Sequence, residues 1–350
     1  MCISGVELVE TIVIPVNNVV NNEEKYKKAV DILRNGGVVA FPTETVYGLG
    51  ALATDERAVQ RIFEAKGRPS DNPLIVHIGN QEDVAKYATG VTELGEQLMA
   101  AFWPGPLTLV FDKIPAVIAP NVTPGVETVG IRMPDHPIAL ELLRALGGPL
   151  AAPSANRSGK PSPTEAAHVY EDLKGLIPLI LDAGQTGVGV ESTVLDMTTS
   201  PPTILRPGGI TREMIEQVIG PVRAGDGEAN DKAPRSPGMK YMHYAPEAPL
   251  FVMTSDVAKI CEAVITLHGE GKSVAIIGPD ELDIPDADWY FAVGPQNNNE
   301  AMAAHLYRAL RQCDMTAADI ILAIETDLTG VGAAVMNRLT KAADGKHYLD

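Results

Sequence analysis

Long apolar runs are scarce in this chain, and that scarcity excludes a membrane-spanning protein first. Ile12 to Val20 and Val274 to Ile277 are among the longest such stretches. They are short or interrupted by Asn and Pro, far below the roughly 20 residues a bilayer span needs. The opening segment Met1-Cys2-Ile3-Ser4-Gly5-Val6-Glu7 lacks the basic start of a secretory signal, so the expectation is a soluble, cytoplasmic protein. Cysteine is equally sparse. Cys2, Cys261 and Cys313 form no CxxC pair and leave an odd thiol, which argues against a disulfide framework, a cysteine zinc site and redox chemistry. Positive charge is also in deficit, with 28 Lys and Arg against 45 Asp and Glu and a net charge of −17. Residues 1–225 carry 18 cations against 26 anions (−8) and residues 226–350 carry 10 against 19 (−9), so both halves are acidic. A protein that mainly grips nucleic acid shows a basic face, because phosphate neutralisation supplies most of that affinity. No strong nucleic-acid binding is expected, and local cations in an acidic chain suggest a focused pocket for a small anion.

Two familiar nucleotide fingerprints are missing as well. Gly269-Glu270-Gly271-Lys272-Ser273 has the ending of a phosphate-binding loop, but its first Gly would have to stand where Thr266 does. The run precedes the strand-like Val274–Ile277 instead of following one, so it cannot cradle phosphates at a helix N-terminus. Gly278-Pro279 lacks the further glycines of a dinucleotide site.

What is present is a globular composition, 45% apolar and 21% charged over 350 residues, long enough for two domains. From Ile32 to Ile204 strand-like runs (Gly37–Phe41, Leu74–Ile78, Leu107–Phe111, Val129–Arg132, Leu179–Asp182, Ser192–Leu195) are interleaved with helical ones and punctuated by Pro and Gly. That is an α/β domain with many strands. Residues 225–236 lose all periodicity and read as a linker. A second, smaller α/β pattern begins after Pro249, with strands at Leu250–Val252, Val274–Ile277 and Ile320–Ala323. Its helices fall at Val257–Leu267, Asn299–Gln312 and Gly330–Ala343, and the whole fits a small parallel-sheet domain.

The most informative segment is Ala65-Lys66-Gly67-Arg68-Pro69-Ser70-Asp71-Asn72-Pro73. The preceding residues have helical spacing, Gly67 can adopt the left-handed cap that ends such a helix, and Pro69 forbids its continuation. Two cations are thereby held in a rigid helix-to-strand corner. Pro153-Ser154-Ala155-Asn156-Arg157-Ser158-Gly159-Lys160-Pro161-Ser162-Pro163-Thr164 packs hydroxyls, an amide and two cations around Gly and Pro, and such a loop offers several donors to an anion. Thr164-Glu165 should open the next helix. Phe41-Pro42-Thr43-Glu44-Thr45-Val46-Tyr47-Gly48 ends a buried strand in a Thr-rich corner, where α/β sheets hold ligands. Glu191-Ser192-Thr193 and Arg206-Pro207-Gly208-Gly209 put polar groups beside a strand or a tight turn. Ser236-Pro237-Gly238-Met239-Lys240-Tyr241-Met242-His243-Tyr244-Ala245-Pro246 is too rich in functional groups for a passive tether.

Taken in this order, these six segments resemble the threonylcarbamoyl-AMP synthases of the long, two-domain type. The resemblance implies a YrdC-like twisted mixed β-sheet with helices over residues 1–224, a linker or lid over 225–248, and a smaller Rossmann-like α/β domain over 249–350. It also implies a nucleotidyltransferase that makes L-threonylcarbamoyladenylate from L-threonine, bicarbonate and ATP with release of pyrophosphate, for threonylcarbamoyladenosine in tRNA. Carried over residue by residue, Lys66 and Arg68 face the triphosphate. Asn72, Thr128, Ser154, Ser162, Arg206 and Tyr244 complete the ATP site with Arg68. Thr45, His77, Arg132, Ser192 and the backbone at Ala152 take threonine, with Arg132 on its carboxylate and His77 and Thr45 expected on strands. Asn156 matches the family pattern, as ligand contact or loop support. Mg²⁺ is expected with ATP, without a named protein ligand. The adenylate would then pass to the tRNA threonylcarbamoyl transferase complex. The related carbamoyltransferases of hydrogenase maturation carry Cys-rich zinc fingers that three scattered cysteines rule out. Such a reaction needs alignment and charge neutralisation more than a strong base, and no Ser-His-Asp set is apparent. Residues 236–246, bent at Pro237, Gly238 and Pro246, are expected to fold over the nucleotide as a lid.

Overall fold

The strand and helix runs assemble into two units in a computed structural model that describes residues 9–16, 23–225 and 243–348. Most of the linker, residues 226–242, and with it the greater part of the expected lid, lies outside the described residues.

The first unit comprises Met1–Ser158, Pro163–Gly187 and Glu191–Lys240. Its strands are β1 (Ile12–Pro15), β2 (Val39–Phe41), β3 (Gly48–Leu52), β4 (Val76–His77), β5 (Ala88–Thr89), β6 (Leu107–Lys113), β7 (Thr128–Arg132), β8 (Leu150–Ala151), β9 (Leu179–Asp182), β10 (Thr193–Asp196), β11 (Thr203–Arg206) and β12 (Arg223–Ala224). They form one mixed sheet in the order β1-β9-β2-β3-β8-β4-β7-β6-β10-β11-β12, with β5 paired to β6. The pairs β4/β7 and β6/β10 are parallel, while β4/β8 and β6/β7 are antiparallel. The expected strand Leu74–Ile78 is regular only at Val76–His77. Its ends still bond to neighbours, Leu74 N–H to the Val122 carbonyl and Ile78 N–H to that of Arg132.

Side chains alternate across a strand, and that alternation sorts this sheet into an apolar face and a partly polar one. Val76, Ile131, Leu109 and Leu195 join the large core under helices α2 (Glu56–Lys66), α3 (Glu93–Phe102), α5 (Ala166–Leu173) and α6 (Arg212–Ile219). On the opposite face, α1 (Glu23–Arg34) and α4 (Pro137–Leu146) cover Val39, Phe41, Leu150, Leu179 and Leu181. The same face continues along β4, β7, β6 and β10 with His77 paired to Arg132, Thr108 paired to Val194, and Gly130 paired to Val110.

Helix α2 follows from its sequence. The Asp55 carboxylate accepts the N–H groups of Arg57 and Ala58 at 2.9 and 3.1 Å, satisfying donors that a helix start leaves orphaned. Ala58, Val59, Ile62 and Phe63 are buried, and at the far end Gly67 takes φ 62°, its N–H bonding the Glu64 carbonyl while Arg68 N–H bonds that of Phe63. This left-handed cap is the one Gly67 predicts. Helix α5 opens at Ala166 with Glu165 in the cap position, but no side chain caps it.

The second unit comprises Gly159–Ser162, Val188–Val190 and Tyr241–Asp350. Strands β13 (Leu250–Met253), β14 (Val274–Gly278), β15 (Trp289–Ala292) and β16 (Ile320–Ile324) are all parallel in the order β13-β16-β14-β15. Helices α7 (Val257–Gly269), α8 (Asn299–Cys313) and α9 (Gly332–Ala342) complete this Rossmann-like sheet. Gly269 ends α7 and the following turn leads into β14, where Ser273 Oγ bonds Asp319. The phosphate-loop lookalike is therefore a helix-to-strand turn. No helix among the described residues is long and apolar enough to cross a membrane.

Candidate active site

The corner after α2 is built around a buried ammonium. Lys66 is 3% exposed, and its Nζ donates to the carbonyls of Ser154 and Asn156 at 2.5 Å each and to Asn156 Oδ1 at 3.3 Å. The loop is tied back at three more points: Ser158 N–H bonds the Lys66 carbonyl at 2.9 Å, Arg157 Nη1 bonds the Ala65 carbonyl at 3.1 Å, and Ser154 Oγ bonds Asn156 Oδ1. The helix end and the Ser154–Ser158 segment are thus one hydrogen-bonded block, to which Asn156 contributes its carbonyl and its side-chain amide. Arg68 Nη2 donates to the carbonyls of Asn72 and Pro73 at 3.4 and 3.2 Å. Asn72 is fully buried, and no described residue hydrogen-bonds either atom of its side-chain amide. Buried amides are normally satisfied, so Asn72 offers a donor and an acceptor to a bound group.

The partly polar face of the sheet supplies a second cluster. Arg132, at the end of β7, is buried and places Nη2 2.6 Å from Glu44 Oε2 and 3.1 Å from Thr45 Oγ1, with Nε 3.3 Å from the Gly105 carbonyl. Thr45 Oγ1 is 2.8 Å from Thr43 Oγ1. Thr45 lies in the loop between β2 and β3, not on a strand, because the hydroxyl of Thr43 accepts the N–H groups of Thr45 and Val46 and turns the chain. His77 is on β4 as expected, 4% exposed. Burial first, and the Arg132 charge second, pull its imidazole down to about 3, so it is neutral at physiological pH. Burial also lowers His136, against the opposing pull of Glu44 and Asp135.

A third group joins the entry of β10 to the end of β11. Arg206 donates from Nε and Nη2 to the Ser192 carbonyl at 3.1 and 2.9 Å and to Ser192 Oγ at 3.2 Å. Ser192 Oγ is 2.8 Å from Thr108 Oγ1. The approach requires Gly208, where a Cβ would stand 2.3–2.4 Å from Thr193 N, Glu191 O and Ser192 C. Ala152 is buried, and its N–H donates to the Ile75 carbonyl at 2.9 Å, which leaves that donor unavailable to a ligand.

The structure therefore brings together Lys66 with Ser154, Arg132 with Thr45 and, across the β4/β7 register, His77, and Arg206 with Ser192. Thr128 stands at the start of β7, four residues from Arg132, a separation of about 13 Å along a strand. Ser162 and Tyr244 belong to the second unit. There Tyr244, at φ 67°, packs its ring 5.2 Å from that of Tyr307 and 5.8 Å from the guanidinium carbon of the fully buried Arg338. Sequence reasoning passed over Glu44, Thr43 and Thr108. Glu44 sits inside a segment already notable for its threonines, and an acid in a buried corner is the signal that marks it. Among the described residues no group of three or more His, Cys, Asp or Glu could hold a metal ion.

A Sua5/YciO/YrdC family model, described as telomere recombination, matches residues 31–208, and one described as the threonylcarbamoyl-AMP synthase C-terminal domain matches residues 210–344. The chain is 50% identical over 328 residues to the threonylcarbamoyl-AMP synthase of Bacillus subtilis, covering 93% of this chain and 94% of that protein. It resembles the crystal structure of Pyrococcus abyssi Sua5 complexed with L-threonine at 48% identity and TM-score 0.91, over 96% of this chain and 98% of that one. A variant of the same Pyrococcus protein with one histidine and one tyrosine changed to alanine matches at 47% identity and TM-score 0.91, over 97% and 99%.

Proposed function

This chain belongs to the threonylcarbamoyl-AMP synthase family in its long two-domain form, and on that premise we propose that it is an L-threonylcarbamoyladenylate synthase. It joins L-threonine, bicarbonate and ATP into L-threonylcarbamoyl-AMP and pyrophosphate, for the threonylcarbamoyladenosine modification of tRNA, in the cytoplasm. The observation that carries this reading is the match to a threonylcarbamoyl-AMP synthase across nearly the whole chain. Residues 1–224 are its catalytic domain, 225–248 its linker and 249–350 its second domain.

The reaction has two parts. The threonine amine takes up the carbon of bicarbonate with loss of water, giving a carbamate, and a carbamate oxygen then attacks the α-phosphorus of ATP as pyrophosphate departs. Neither part requires a nucleophile of the protein. Both require aligned substrates and compensated charge. Lys66 and Arg68 offset the triphosphate charge, Arg68 through a planar fork suited to phosphate and Lys66 as a point charge. The bonds of Lys66 to Ser154 and Asn156 support a joint role, in which the same ammonium shapes the loop that holds the nucleotide. Asn72, Thr128, Ser154, Ser162, Arg206 and Tyr244 complete the ATP site. Asn72, with both amide atoms buried and unbonded within the described residues, suits a partner that both donates and accepts. Thr45, His77, Arg132, Ala152 and Ser192 take threonine, with Arg132 on the carboxylate. A neutral His77 adds no second positive charge beside Arg132. Mg²⁺ accompanies ATP and neutralises phosphate charge. A small hard cation of this kind is commonly held through phosphates and water, and we assign it no protein ligand. The adenylate is handed on to the tRNA threonylcarbamoyl transferase machinery.

Pyrophosphate release measured with each substrate omitted in turn tests the function. Release that needs L-threonine, bicarbonate and ATP together is the expected result. Equal release without threonine overturns it.

A further inference from the structure

Glu44 is a buried carboxylate with an unusual set of partners. Its side chain is 12% exposed and that of Arg132 is 5% exposed, and their closest approach is the 2.6 Å between Oε2 and Nη2. No described residue gives either Glu44 oxygen a well-aligned hydrogen bond. A buried carboxylate ordinarily collects several such donors, and leaving it without them is costly. The pair is held by charge alone, beside the residues proposed to bind threonine.

We propose that Glu44 receives the ammonium group of the amino-acid substrate while Arg132 receives its carboxylate, and that Glu44 takes up the ammonium proton as the carbamate forms. This deepens the synthase reading and rests on it. Without substrate, one positive and one negative side chain face each other. L-Threonine is a zwitterion, so its arrival adds one charge of each sign, and exchanging partners makes two ion pairs with no net charge left buried. An anionic ligand without an ammonium group could not do this, because Glu44 would repel it.

The chemistry then needs a neutral nitrogen. The proton of R–NH₃⁺ passes to a Glu44 oxygen, leaving R–NH₂ and a neutral carboxylic acid. The nitrogen lone pair forms the C–N bond to bicarbonate, and R–NH₂ + HCO₃⁻ becomes R–NH–COO⁻ + H₂O, so atoms and charge balance. A protonated Glu44 does not repel the new carbamate, whereas an ionised one would. His77 is a poor rival for that proton, since burial and Arg132 hold its imidazole down at about 3. His136 is committed elsewhere, its Nδ1 accepting the Ile138 N–H at 3.2 Å.

The test compares two ligands on Glu44→Gln: L-threonine and 2,3-dihydroxybutanoate, in which a hydroxyl replaces the amine. Calorimetry should show L-threonine binding weakened roughly tenfold to a hundredfold, the loss expected for a charge-assisted hydrogen bond. The dihydroxy acid should bind as well as to the parent or more tightly, since Glu44 no longer competes for Arg132. Threonine-dependent pyrophosphate release should fall at least as far and recover in part with Glu44→Asp. Equal weakening of both ligands would make Glu44 a mere support for Arg132 and overturn the proposal, as would unchanged threonine binding. ATP binding serves as the folding control, and if Glu44→Gln fails it, the same ligand pair on Glu44→Asp decides, because a shortened carboxylate must discriminate in the same sense. Absence of threonine-dependent pyrophosphate release by the unaltered protein would instead overturn the synthase reading, without recourse to any Glu44 variant.

Discussion

Lys66 and Arg132 are both buried cations of the first unit, 3% and 4% exposed, yet they are held in opposite ways. Lys66 donates to two backbone carbonyls and an amide oxygen, all belonging to one loop. Arg132 faces a carboxylate, a threonine hydroxyl and one carbonyl, drawn from two separate loops. Neutral acceptors shape a cation's surroundings without cancelling its charge, whereas a carboxylate cancels it. The Arg132 corner, which already holds one charge of each sign, thus suits a ligand that carries both signs. Four single substitutions sharpen or break this contrast.

The largest effect is expected at Arg132. Arg132→Ala leaves Glu44 buried opposite no cation, and removing one partner of a buried ion pair costs about 3–5 kcal/mol of stability. Denaturant unfolding should register that loss, and adding Glu44→Ala should restore part of it. Binding of L-threonine should suffer far more than binding of ATP. An ATP defect as large as the threonine defect would mean that the two corners have been exchanged.

Next come Lys66→Ala and Arg68→Ala. Each should lower threonine-dependent pyrophosphate release by about 100-fold or more, the usual loss when one electrostatic partner of a transition state is removed. Lys66→Ala should also loosen the Ser154–Ser158 segment, seen as faster amide exchange at Ser158, whereas Arg68→Ala should not. Rates within about threefold of the parent for both variants would end the assignment of this corner to the triphosphate.

The smallest effect belongs to His77. Its imidazole is held near 3 in the folded protein and returns to about 6.5 on unfolding. Below that value the unfolded chain binds the extra proton, so stability is complete above about pH 6.5 and is lost as pH falls toward 3, by about 1 kcal/mol per pH unit. Compared with His77→Gln, the unaltered protein should therefore lose more stability between pH 6 and pH 5. Parallel curves for the two proteins would show that His77 protonates freely in the folded state.

How far these corners could be read in advance differs from one residue to the next. Lys66 and Arg68 were legible because their frame is local: Gly67 and Pro69 stop a helix whose apolar spacing and Asp55 cap lie within a dozen residues. The strand β9 is legible to the residue, since Leu179, Ile180 and Leu181 are an apolar run buried on both faces and ended by the half-buried Asp182. Thr45 stands in a loop and not on the expected strand because its own N–H and that of Val46 bond the Thr43 hydroxyl and turn the chain there, and such local competition leaves no periodic trace. Glu44 went unassigned because its partner Arg132 is 88 positions away, and nothing in the intervening sequence announces the pairing.

The amino-acid sequence by itself determined most of the segments that become helices and strands and which cations sit in stiff corners, since caps, turn residues and alternation act over a few residues. It also carried the family resemblance, through motifs whose order survives along the chain. Only the tertiary structure decided that β4, β7, β6 and β10 lie side by side with His77, Arg132 and Thr108 on one face. It alone decided that Lys66 closes on Ser154 and Asn156 and that Arg132 meets Glu44. Those meetings depend on register and strand order across a mixed sheet, set by the burial of the whole core at once, and no local run of residues encodes them.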